Sequence, residues 1–321
     1  MEIKKEYMEK LKSQIIQDIE NFPHKTDIES IILTGSLGRD EGTFHIDKET
    51  NNLILDSDVE LALVYKPGKK DSAKTFKQFL IENYKEDMNP MTISLLRVRN
   101  MYNFNYSFKT PKYNSIFMYD LYNGSKTIWG TELLSARSLP YDKYEAKRII
   151  ANRIGEYACL KYIEKAPEKQ IKQWEAKILL SVGIACCIID NIYESPYKKH
   201  CEAICKSKDK WNDYLGSNFV EDYIEAYEYL RLGIDKYDVP TERIKSYVEK
   251  ISKLFNTNEY SKPKITSLSR KLKYAISTVK HYKKRHVIDC ETTIIDALIE
   301  YYINDDISLI EYGKYWKNIL Y

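Results

Sequence analysis

The sequence predicts an α+β protein in two parts: a mixed sheet with flanking helices over residues 1–140, then an all-helical domain over 141–321. Three observations predict it. The first 140 residues alternate helical stripes with short apolar runs, in the order helix, strand, strand, helix, strand, strand. From Tyr141 onward, apolar residues recur almost wholly at helical spacing. The chain also has only 11 glycines beside 28 tyrosines, a composition that suggests much helix.

In chain order, Ile3, Tyr7, Met8, Leu11, Ile15, Ile19 and Phe22 form one helical stripe, ended by Pro23. Ile31 to Thr34 reads as a short buried strand. Gly38 to Asn52 is polar and reads as a loop or a hairpin. Ile54 to Tyr65 is the second strand, closed by the turn Lys66-Pro67-Gly68-Lys69. Phe76, Phe79, Leu80 and Tyr84 place a helix over 73–84, Met91 to Val98 is a third strand, and Asn100 to Asn114 is an ordered loop. Ser115 to Tyr122 is the fourth strand. The second half predicts a helix beginning near Ile149 and a long apolar one over Trp174 to Ile192. Others follow at Tyr223–Leu232, Ile244–Phe255, Leu268–Tyr282 and Ile294–Tyr302, with breaks at Pro167, Gly216-Ser217, Pro240 and Pro263.

Composition narrows the function classes. Hydrophobic residues at 43% and charged residues at 30% are those of a soluble globular protein. A net charge of +3 does not by itself argue for nucleic acid or a membrane surface. Cysteines 159, 186, 187, 201, 205 and 290 show no CxxC spacing and read as reduced thiols. The amino terminus has no apolar signal core, and Ile178 to Ile189 is too short to span a bilayer, so the expected location is cytoplasmic with no membrane partner. Ser261 to Ile288 holds nine Lys/Arg and no acid, while Asp289 to Gly313 holds seven acids and no Lys/Arg. Neighbouring amphipathic helices of opposite charge explain both, against an alternative nucleic-acid surface on 262–285.

The chemistry concentrates in Gly35 to Glu60. An apolar strand breaks at Gly35-Ser36, where glycine permits a tight turn and close approach to a ligand, and a helix start offers N–H groups to an anion. Arg39 follows as a candidate phosphate contact. Residues two apart on a strand share a face, so Asp58 and Glu60 point together, with Val59, Leu61 and Leu63 turned to the core. Two adjacent carboxylates repel unless a cation neutralises them, and a divalent ion with oxygen ligands is the natural partner. The alternative is a solvated strand end with two surface acids.

These residues resemble the nucleotidyltransferase superfamily with the DNA polymerase beta-type fold. The match lies in T-G-S-L-G-R-D-E-G and S-D-V-E-L, with an insert between them that is similar to a bacterial subgroup associated with glycan biosynthesis. Y-D-L-Y-N-G-S-K-T-I-W-G, A-N-R-I-G, A-K-I-L-L-S-V-G and Y-E-S-P-Y-K-K-H extend the resemblance over roughly residues 30–200. It implies transfer of a nucleoside monophosphate from a nucleoside triphosphate to a hydroxyl of a small or carbohydrate-like acceptor, with release of pyrophosphate. It implies two Mg²⁺ ions on Asp58 and Glu60, and a triphosphate held by Gly35 and Ser36. Lys177 would reach the phosphates, and Tyr193 and Tyr197 would line the nucleotide or acceptor pocket. For these three, a surface lysine and packing tyrosines are the alternatives.

One position departs from the family pattern. A third carboxylate is expected on a later strand, where this chain has Thr92, and a threonine is no general base at neutral pH. Asp120 is the next acid on a predicted strand and the candidate substitute; the alternative is an acid that caps the N-G-S-K turn. The departure keeps open a catalytically silent nucleotide-binding protein of the same fold, or a transferase acting on RNA or protein.

Overall fold

The computed structural model describes residues 2–46, 53–55, 57, 59–69, 71–72, 75–76, 78–79, 115–134, 141–234, 236–261 and 290–306. They form an α+β protein, and the chain divides into two units, Met1–Pro140 and Tyr141–Tyr321.

In the first unit, α1 spans Glu2–Asn21, and Leu11, Ile15, Ile19 and the adjoining Phe22 are buried. Their spacing of three or four residues puts them on one face. β1 (Ile28–Thr34) follows and runs straight into α2 (Gly35–Gly38). The insert after α2 forms a hairpin of β2 (Phe44–Ile46) and β3 (Leu53–Leu55). Then come β4 (Glu60–Tyr65), α3 (Ile116–Asn123) and β5 (Lys126–Gly130).

Among the described residues the sheet has the order β4-β1-β5, with both pairings antiparallel. The expected strand Met91–Val98 lies outside the described residues, as do the loop 100–114 and most of the helix 73–84. β1, at the centre, is covered on both sides. Ile31, Leu33, Leu61 and Leu63 pack with the α1 stripe. Ile32, Ala62 and Val64 pack with Leu121 and Tyr122 of α3. Burying each such side chain contributes about 1.5–3 kcal/mol. Phe76 and Phe79 join the α1 side, with ring centroids 5.0 and 5.8 Å from Phe22.

Two predicted strands are corrected. Ile54 to Tyr65 is not one strand: β3 pairs with β2, whereas β4 pairs with β1, and the chain bends at Ser57 between them. The Thr43 N–H donates to Ser57 Oγ at 2.8 Å and closes the hairpin at this bend. Ser115 to Tyr122 is a helix. Ser115 caps it, its Oγ accepting the Met118 N–H at 3.2 Å, and Ile116, Leu121 and Tyr122 are buried. Aromatic and branched residues suggest a strand by propensity, but propensity yields to the cap and to the burial pattern.

Asp27, at the turn into β1, accepts the Ser72 hydroxyl at 2.7 Å and lies 3.1 Å from Lys69 Nζ. The Ser72 hydrogen bond and then Lys69 hold its carboxyl below the usual aspartate value. A depressed acid adds stability above its unfolded-state value and loses it as pH falls through the folded one. Ser72→Ala is expected to raise the Asp27 titration midpoint toward the ordinary value, read by NMR of the side-chain carbonyl. An unmoved midpoint would remove Ser72 as the cause.

The second unit is helical. α4 (Tyr144–Ala158) runs on through a π-helical turn, Cys159–Glu164. α5 (Glu168–Ile189) starts after Pro167, whose missing N–H costs nothing at a helix start. Then follow α6 (Tyr197–Lys206), α7 (Lys208–Leu215), α8 (Phe219–Tyr227) with a π-helical turn over Glu228–Leu232, α9 (Thr241–Leu254) and α10 (Cys290–Asn304). α5 is the apolar centre, packed by α4, α6, α8 and α9. Tyr144, Tyr157, Tyr223, Tyr247, Tyr301 and Tyr302 are buried, in keeping with their core-facing spacing. Polar ties join the helices: Asp222 accepts the Tyr247 hydroxyl at 2.6 Å and lies 3.2 Å from Arg243 Nε. Residues 262–289, with the predicted helix 268–282, lie outside the described residues. Among those described, no helix is long and apolar enough to cross a membrane.

Candidate functional site

The end of the central strand sets the geometry of the opening motif. Thr34 is extended, with φ −125° and ψ −171°, and the chain then turns sharply, with Gly35 at φ +66°. This left-handed conformation costs an L-residue about 1–2 kcal/mol and costs glycine nothing comparable. Three hydrogen bonds wind the next residues into one short turn. Arg39 N–H donates to Gly35 O at 3.3 Å, Asp40 N–H to Leu37 O at 3.2 Å, and Glu41 N–H to Ser36 O at 2.8 Å.

β4 brings the acid to this turn. Thr34 pairs with Glu60 across the ladder, so Glu60 stands beside the start of α2. A Cβ on Gly35 would lie 1.9 Å from Glu60 Oε2, so the carboxylate occupies the space that glycine leaves open. By strand alternation Glu60 shares the face of Ala62 and Val64, and that face is covered by α3. Glu60 itself, at the strand end, is half-buried. Asp58 lies outside the described residues, as does Thr92.

Asp120 is on α3, not on a strand, and this corrects its predicted setting. The helix that carries it covers the sheet face of Glu60. The N-G-S-K turn is held by the main chain of Asp120: its carbonyl accepts the Gly124 N–H at 2.8 Å and the Ser125 hydroxyl at 3.3 Å.

Two glycines that the sequence argument did not single out complete the seat of α2. A Cβ on Gly38 would lie 2.6 Å from Leu33 O and 2.8 Å from Gly124 O. α2 is thus wedged between the end of β1 and the turn from α3 to β5. The second glycine of G-S-L-G and the N-G dipeptide were the available signals. Charges ring the turn. Arg39 Nε is 3.2 Å from Glu41 Oε2, with side-chain exposures of 10% and 14%, so this cation is largely buried with an acid. Lys126 pairs with Asp40.

The other predicted residues lie in the second unit. Lys177, on α5, places its ammonium 3.3 Å from the centroid of the Trp174 ring. Trp174 in turn donates its indole N–H to Glu156 at 3.2 Å, and Arg153 pairs with the same carboxylate at 2.6 Å. Tyr193 is buried and stacks on His200 at 4.8 Å between centroids, with Tyr141 edge-on at 5.6 Å. His200 Nε2 donates to the Glu194 carbonyl, so that nitrogen carries a proton. Tyr197 meets the edge of His200 at 5.5 Å and takes the Arg231 guanidinium over its ring at 3.9 Å. The packing role weighed for both tyrosines is visible in these contacts. Trp174, His200 and Arg231 are the partners that sequence reasoning missed: the first two stand three positions from Lys177 and Tyr197 on the same helices and were within reach of local spacing, whereas Arg231 is brought in by packing.

Among the described residues, no group of three or more His, Cys, Asp or Glu side chains converges on a point that could hold a metal ion. Glu60 supplies one hard oxygen donor beside a turn rich in N–H groups. Comparison of the chain with protein-family models, with curated proteins and with solved structures found no match in any of the three.

Proposed function

We propose that the chain binds a nucleoside triphosphate, as its magnesium complex, at the Gly35–Glu60 end of the sheet. It transfers the nucleoside monophosphate to a hydroxyl of a small or carbohydrate-like acceptor. One observation carries the reading: the Glu60 carboxylate rests against Gly35, the first residue of a tight turn that carries Ser36. A carboxylate beside a phosphate-binding turn repels the phosphate unless a cation stands between them. Mg²⁺ held by Asp58 and Glu60 supplies that neutralisation when bound.

In the proposed reaction, the acceptor oxygen bonds to the α-phosphorus and the bond to the bridging oxygen of the β-phosphate breaks. Pyrophosphate leaves with that electron pair, and the hydroxyl proton passes to a base. The turn N–H groups and Ser36 hold the phosphates, and Arg39 is a further phosphate contact once it leaves Glu41. Asp120 is the proposed base, because its helix covers the face from which Glu60 projects. An RNA or protein acceptor depends on segment 262–285, outside the described residues.

A second reading, nucleotide binding without turnover, is favoured by Thr92 at the expected acid position and by the helical setting of Asp120. Two assays on the full chain separate them. Titration with a fluorescent triphosphate and Mg²⁺ is expected to show saturable binding, weakened at least about tenfold, or about 1.4 kcal/mol, by Glu60→Ala. Equal affinity of the native and Glu60→Ala chains would sink both readings. Pyrophosphate release that Asp120→Asn abolishes while binding persists supports transfer; binding with no release from any acceptor pool supports the silent protein.

A further inference from the structure

Cys201 and Cys205 lie one turn apart on α6, so both thiols project from one face of that helix. Cys205 is exposed and Cys201 partly so, whereas Cys159, Cys186 and Cys187 are buried. The two thiols are within hydrogen-bonding reach of each other, and the carboxylates of Glu228 and Glu202 stand close enough to act on Cys201. Glu228 comes from the π-helical turn that follows α8, and α8 packs on α6. This cluster belongs to no part of the proposed nucleotide site.

Geometry decides between the two chemistries open to such a pair. Side chains four apart on a helix have Cβ atoms about 5–6 Å apart. A disulfide needs about 3.5–4.5 Å, so closing one would distort the turn. A metal ion between the sulfurs lengthens the link by two bonds of about 2.3 Å each, and an intact turn accommodates it. Two flanking carboxylates further favour a cation over anionic thiol reagents.

We propose that Cys201 and Cys205 form a two-thiolate site for a soft monovalent cation, Cu⁺. Thiolates select Cu⁺ and Zn²⁺ among the first-row ions. Structural Zn²⁺ takes four protein ligands, whereas two sulfurs on one helix face match the two-coordinate preference of Cu⁺. Binding exchanges two S–H bonds for two S–Cu bonds, releases two protons to solvent and moves no electrons. Because those protons are released on binding, uptake strengthens as pH rises.

The test uses the full chain under anaerobic conditions, with Cu⁺ presented as its bicinchoninate complex. The native chain is expected to withdraw one Cu⁺ from the chelator. At the same time, two thiols become protected from N-ethylmaleimide, mapped by mass spectrometry to Cys201 and Cys205. Cys201→Ser and Cys205→Ser should each weaken uptake at least about tenfold, with helix content unchanged by circular dichroism. Failure of the native chain to withdraw Cu⁺ would overturn the site. So would protection mapping to other thiols, a reading that needs no variant, or unchanged uptake by the doubly substituted chain.

Discussion

Gly35→Ala is expected to abolish triphosphate binding and to destabilise the first unit, for two separable reasons. The residue sits at φ +66°, which costs alanine about 1–2 kcal/mol. Its methyl group would also stand 1.9 Å from Glu60 Oε2, so the carboxylate must swing away from the turn. The backbone part persists whatever occupies position 60, whereas the steric part vanishes when Glu60 is shortened. Gly35→Ala should therefore cost less stability in a Glu60→Ala background than in the native chain. The coupling is expected to be on the order of 1 kcal/mol in a double-mutant cycle followed by urea unfolding. Strict additivity would mean that the carboxylate does not lean on Gly35, and the proposed site would lose its principal support. Ser36→Ala is the milder companion: it removes one hydroxyl, leaves the turn intact and should weaken binding without shifting the unfolding midpoint.

Gly183→Ala is expected to have the largest effect on the second unit, and its sign opposes local propensity. Gly183 lies inside α5, where alanine is ordinarily favoured by about 0.8–1 kcal/mol. Here a Cβ would lie 2.1 Å from Cε2 and 2.6 Å from Cδ2 of the Tyr223 ring, which is itself fully buried. A ring held on all sides cannot yield as an exposed side chain would, and overpacking of this kind costs about 1–3 kcal/mol. The net expectation is a thermal midpoint lowered by several degrees, about 2–4 °C per kcal/mol at this size. Tyr223→Leu removes the opposing ring edge and should recover part of the loss. A Gly183→Ala chain as stable as the native one would show that α5 and α8 separate easily, contrary to their packing.

The helices of this protein were largely legible because their signal is local. The α1 stripe, the apolar run of α5 and the breaks at Pro167 and Pro240 each depend on residues within a few positions of one another. The strands were less legible, since a strand is defined by its partner. Ile54 to Tyr65 looks continuous in one dimension, yet its two ends pair with different strands. Ser115 to Tyr122 has strand-like composition, but a serine cap and three core contacts make it helical. α6 and α7 carry helical faces too short to stand out beside the Pro196 and Gly216 that bound them.

The same distinction runs through the candidate site. Gly35, Ser36 and the acid at Glu60 were readable as residue types whose chemistry suits a phosphate and a cation. Which side of Gly35 the acid takes, and that Gly38 is wedged against the Gly124 carbonyl, were not readable. The burial of Arg39 with Glu41 and the seat of Lys177 on Trp174 are local pairs, two and three positions apart, that the reading of motifs passed over. The contacts of Gly35 with Glu60 and of Gly38 with Gly124 depend on segments far apart in the chain. By itself the sequence determined the two-part α+β plan and the glycine-serine turn, because helical periodicity and left-handed glycine act over a handful of residues. The tertiary structure alone decided the antiparallel order of the sheet, the helical setting of Asp120 and the contact between Gly35 and Glu60, because pairing and packing are set by distance in space.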